Sequence, residues 1–68
     1  MKITFDKRAD AIYIYLTQKK VTKTEELDAN TFVDYDQKGE VVGIELLGAS
    51  KRVPLKQLSK IASIKQTR

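Results

Sequence analysis

The chain has 68 residues and a net charge of +4, from 13 Lys/Arg and 9 Asp/Glu, and it contains neither cysteine nor histidine. A single domain of this size buries only about 60% of its unfolded surface, so its stability depends on good packing or on a partner chain. The missing cysteine excludes a disulfide staple. Together with the missing histidine it removes the usual transition-metal ligands and the Ser-His-Asp and Cys-His routes to nucleophilic catalysis.

The charge is unevenly spread. Residues 1–50 hold seven Lys/Arg against nine Asp/Glu, a net of −2, whereas residues 51–68 hold six Lys/Arg and no acid, a net of +6. The basic character therefore belongs to the C-terminal segment. No apolar run reaches the roughly 18 residues of a membrane span, and Met1 to Asp6 lacks the apolar region of a signal peptide. The expected location is the cytoplasm.

In chain order, Ile3-Thr4-Phe5 reads as a short first strand, and Asp6 to Asp10 as a turn in which both aspartates bond local backbone. Ala11 to Leu16 is rich in β-formers. Ile12, Ile14 and Leu16 point one way and Ala11, Tyr13 and Tyr15 the other, so both faces are partly apolar and the strand is expected to be central. Val21 to Leu27 is β-prone but charged on both faces, as befits an edge strand. Asp28-Ala29-Asn30 turns the chain into a hairpin formed by Phe32 to Tyr35 and Glu40 to Leu47.

That hairpin carries the clearest turn signal. Asp36 suits the first position of a type I turn and Gly39 the following left-handed position, giving a loop of Gln37, Lys38 and Gly39. The implied register pairs Tyr35 with Val41, Asp34 with Val42, Val33 with Gly43 and Phe32 with Ile44. One face then carries Phe32, Val42, Ile44 and Leu46, and the other Val33, Tyr35, Val41 and Glu45. Gly43 leaves room for Val33 or a neighbouring strand to approach closely.

Gly48-Ala49-Ser50 ends the sheet. Pro54 fits the first turn of a helix. Leu55, Leu58, Ile61 and Ala62 follow at helical spacing, with Lys56 and Lys60 on the other side. The expected fold is α+β: an antiparallel sheet of four to five strands over 2–47, mostly a meander, with one C-terminal helix at about 54–63 packed on one face and a frayed tail at 64–68. It forms a single domain, 1–68.

Two runs look familiar. They are Asp6-Lys7-Arg8-Ala9-Asp10-Ala11-Ile12-Tyr13-Ile14-Tyr15-Leu16 and Val33-Asp34-Tyr35-Asp36-Gln37-Lys38-Gly39-Glu40-Val41-Val42-Gly43-Ile44-Glu45-Leu46-Leu47, followed by Ala49-Ser50. Over roughly residues 2–52 the chain resembles the YuzE-like family (domain of unknown function 2283), small and mostly bacterial domains. The resemblance implies a compact sheet-and-helix fold and a cytoplasmic setting. It carries over no catalytic or binding residue.

Chemistry at a site is thinly supplied. Ser50, Ser59 and Ser63 have no evident base. Asp10, Asp34, Asp36 and Glu45 could serve carboxylate-only acid–base chemistry, but turn preferences account for the aspartates and a solvated strand position for Glu45. No catalytic residue and no cofactor are assigned. The run from Asp34 to Glu45 has the D-x-D-x-[DN]-G-x5-E spacing of a calcium loop, yet Lys38 stands where an oxygen ligand belongs and the flanks are β-like, so no metal is assigned.

Two surface features remain. Lys51, Arg52, Lys56 and Lys60 form a basic patch that could meet phosphates or an acidic protein, although 51–68 holds no aromatic residue for base stacking. Tyr13, Tyr15, Tyr35 and Val41 are expected to share the sheet face that one helix leaves bare, a candidate partner-binding surface suited to a homo-oligomer, most simply a two-fold dimer. Two functions stay open. One is a non-enzymatic protein-interaction or regulatory, antitoxin-like module. The other is a weak nucleic-acid binder using the basic segment.

Overall fold

A computed structural model describes residues 1–54, 56–58 and 60. They form an α+β fold of five antiparallel strands with short helical segments at the C-terminal end. The strands are β1 (Lys2–Asp6), β2 (Ala11–Tyr15), β3 (Lys23–Asp28), β4 (Thr31–Tyr35) and β5 (Val41–Leu47), followed by the one-turn helix α1 (Ala49–Arg52). Their order in the sheet is β1-β2-β5-β4-β3. The β1–β2 hairpin and the β3–β4–β5 meander are thus joined by β5 lying against β2. Charged β3 is an edge strand, exposed at all six positions.

The turn between β4 and β5 is built on Asp36. Gly39 donates its N–H to the Asp36 carbonyl at 3.0 Å, and Asp36 donates its own to the Glu40 carbonyl at 2.9 Å. Asp36 Oδ1 also accepts the N–H groups of Lys38 at 2.8 Å and Glu40 at 2.9 Å. Gly39 sits at φ 83°, where an L side chain is strained. The Glu40 N–H first, then that of Lys38 and the charges of Lys19 and Lys38, hold the Asp36 carboxyl below the usual carboxylate range.

Beyond this turn the register departs from the expected one. Tyr35 does pair with Val41, but a β-bulge follows at once. Asp34 pairs with Gly43, Val33 with Ile44 and Phe32 with Glu45. Val42 is the extra residue, and its carbonyl accepts the N–H groups of Leu16 and Thr17 at 2.8 and 3.2 Å. A one-residue insertion moves every later pair by one, which exchanges the faces of the partner strand. Val33 and Tyr35 therefore lie on the face of Ile44 and Leu46, and Phe32 lies on the opposite face with Glu45.

The core sits on the first of these faces. Ile12, Ala49 and Leu58 are buried at 2%, 0% and 3% exposure, and Ile3, Phe5, Ile14, Leu46 and Val53 pack around them. The helical segment begins earlier than expected, at Ala49, breaks at extended Val53, and resumes after Pro54. The N–H groups of Gln57 and Leu58 both reach the Pro54 carbonyl. The expected core positions Leu55, Ile61 and Ala62, and the tail 64–68, lie outside the described residues. Hydrogen bonds of two residues, Asp10 and Arg52, tie α1 to the rest of the fold. Asp10, at φ 53°, accepts the Ala49 N–H on its carbonyl and the Ser50 N–H and hydroxyl on its carboxylate. Arg52 donates to the Asn30 carbonyl at 2.7 Å and to Thr31 Oγ1 at 2.9 Å.

Candidate protein-docking face

Among the described residues, the helical segment covers one face of the sheet only. Strand pairing arranges the other face in rows, because directly opposite residues point the same way. The first row is Lys2, Tyr15, Gly43, Asp34 and Thr24, and the second is Thr4, Tyr13, Glu45, Phe32 and Glu26. Five strands thus contribute three aromatic rings, three carboxylates and one cation to a continuous surface.

Its centre is organised by Gly43. The Tyr13 side chain lies against this glycine: a Cβ there would meet its ring edge and hydroxyl at 2.6 Å. Of the two approaches that the sequence leaves open, Gly43 therefore makes room for the neighbouring strand, through Tyr13 of β2, and not for Val33. Crossing the glycine lets the Tyr13 hydroxyl donate to Asp34 Oδ2 on β4. Thr24 donates to Asp34 Oδ1 at 2.6 Å, so the carboxylate is held from both sides. Burial first, then the Asp34 hydrogen bond and charge, raise the Tyr13 hydroxyl well above its ordinary range. The Tyr15 ring packs beside that of Tyr13, centroids 4.3 Å apart and tilted by 47°, and the Lys2 ammonium sits 5.5 Å from the Tyr15 centroid. At the end of β2 the face opens into a depression of about 470 Å³ with Tyr15, Leu16, Val21 and Val42 in its wall.

The expected tyrosine patch is therefore split. Tyr13 and Tyr15 share the bare face, whereas Tyr35 lies across the sheet, opposite Val41 in the register, with its hydroxyl bonded to Glu25 and Lys23 over its ring. The bulge at Val42 is the reason, and it brings in Phe32 and Asp34, whereas Glu45 stays on the face that the unbroken register also gives it. Asp34 and Glu45 of the calcium-like run also come to one face, but Asp34 is occupied by two hydroxyls. Among the described residues no three His, Cys, Asp or Glu side chains are grouped to hold a metal. The basic patch is likewise divided: Lys51, Lys56 and Lys60 are exposed, while Arg52 is spent on the β3–β4 turn. The sequence marks Gly43 as a position of close approach, but which residue approaches it is set by the β2–β5 pairing.

Known proteins resemble the chain in sequence and not in solved structure. An uncharacterised protein of Methanocaldococcus jannaschii is 43% identical over 51 residues, 75% of this chain and 43% of the relative. The chain thus spans less than half the length of that relative, and because the relative is archaeal, a bacterial origin does not follow from the likeness. No solved structure matches. Residues 2–50 match the family described as a protein of unknown function (DUF2283), a stretch that holds all five strands, the Asp36 turn and the Gly43 crossing, and the chain belongs to that family.

Proposed function

We propose that the protein is a non-enzymatic protein-interaction module of the cytoplasm that docks a partner on its bare sheet face. The observation that carries this reading is the one-sided cover of the sheet. Leu58 and Ala49 seal one face, while Tyr13, Tyr15 and Phe32 stay partly open on the other, Tyr15 at 39% exposure. Rings with an apolar body and a polar edge are the side chains that protein interfaces favour. Among the described residues no helix is long and apolar enough to cross a membrane.

The charge on the face bears on what docks there. A two-fold dimer through it would set Glu26, Asp34 and Glu45 of one copy against the same surface of the other, so a heterologous protein fits better than a second identical face. Nucleic acid fits less well. The rings lie on the acidic face, and the exposed lysines of the helical segment belong to the opposite side, so stacking and phosphate contact do not combine on one surface.

A photo-crosslinking side chain in place of Phe32, in the full chain inside its own cell, tests the reading. The expected product is a protein adduct that Tyr15→Glu abolishes, with none from the same probe at Lys56. Adducts from position 56 alone, or adducts to nucleic acid, would overturn it.

A further inference from the structure

We infer that the docked partner presents an arginine side chain, and that Glu45 is its anchor. This rests on the docking reading above and names the chemistry of the partner. Glu45 lies on the central strand, with Tyr13 opposite it on β2 and Phe32 opposite it on β4. It is half-buried, yet among the described residues it makes no ion pair and no side-chain hydrogen bond. Its carboxylate oxygens still reach water, so they are open to a donor from a partner. The other central carboxylate, Asp34, is satisfied by Tyr13 and Thr24, so Glu45 is the open acceptor. The Tyr15 ring already carries the Lys2 cation, which shows that the rings of this face accept positive charge.

Guanidinium suits this position better than ammonium. Its planar fork bonds a carboxylate through two N–H groups, and its flat faces stack on aromatic rings. A carboxylate flanked by Tyr13 and Phe32 offers both contacts at once. A lysine of the partner would keep the charge and lose the second hydrogen bond and the stacking.

The test is a titration of the full ¹⁵N-labelled chain with a short peptide that carries arginines and no acid, beside its lysine and citrulline versions. The expected result is saturable binding with the largest amide shifts at Phe32, Gly43 and Glu45. The arginine peptide should bind about tenfold tighter than the citrulline peptide and several-fold tighter than the lysine one, and Glu45→Gln should weaken it about tenfold with the spectrum otherwise unchanged. Equal affinity for the arginine and lysine peptides with no effect of Glu45→Gln would reduce the interaction to general charge and overturn the inference. Shifts centred elsewhere would do the same. A protein that crosslinks at Phe32 while the arginine peptide fails at Glu45 leaves the docking face standing and removes the arginine; loss of both removes the face as well.

Discussion

The two faces of the sheet are stabilised by different physics. On the covered face, Ile12, Ile14 and Leu46 pack with Ala49 and Leu58, and the stabilisation is burial of apolar area. On the bare face, a tyrosine laid over a glycine reaches a carboxylate two strands away, and the stabilisation is a hydrogen-bonded network at half burial. The first face needs only apolar residues of the right volume. The second needs particular atoms at particular positions, which is what recognition of a partner also requires.

The largest effect should come from the covered face. Ile12→Ala removes a side chain at 2% exposure and should cost about 3 kcal/mol, read as a lowered urea midpoint with unchanged slope. On the bare face, Gly43→Val drives a branched side chain into the Tyr13 ring and should cost about 2 kcal/mol through overpacking and loss of the Asp34 bond. Equal midpoints for Gly43→Val and wild type would remove the glycine crossing from the structure. Gly39→Val tests conformation alone, since an added Cβ there meets nothing within 4 Å. Its expected cost is about 1 kcal/mol, from φ 83° only.

Alkali should separate the faces further. The folded Tyr13 hydroxyl titrates above its unfolded value of about 10, so its contribution is present below that pH and is lost as the pH rises toward the folded value. Tyr13→Phe should flatten this alkaline loss, measured as thermal midpoints across that range; an unchanged slope would show that the hydroxyl is not buried against Asp34. The smallest effect is expected at Glu45. Glu45→Gln should shift stability by no more than about 0.5 kcal/mol, because no described residue pairs with the charge. A loss comparable with that of Gly43→Val would place Glu45 in the fold's own network and not in recognition.

Much of this molecule can be read from local sequence, and the limit is instructive. The Asp36–Gly39 turn follows from residue types alone, because aspartate bonds nearby N–H groups and glycine takes positive φ at little cost. The edge position of β3 follows from its charges, and the α+β class from the change in apolar period after Leu47. The bare face is only half legible: the sequence places Tyr13 and Tyr15 on it, and Tyr35 and Val41 with them.

Tertiary structure decided the rest, through contacts between residues far apart in the chain. The bulge at Val42 exists where its carbonyl meets the N–H groups of Leu16 and Thr17, a contact across the β2–β5 pairing that no local pattern shows. That single extra residue exchanges Phe32 for Val33 and places Glu45 between two rings. Asp10 and Arg52 follow the same rule. In sequence they are a turn former and a surface cation; in the fold, with partners 40 and 21 or more residues away, they tie the first helical turn to the sheet. Short-range preferences set which segments are strands and turns. Long-range hydrogen bonding sets the register, and the register decides which side chains meet on a face.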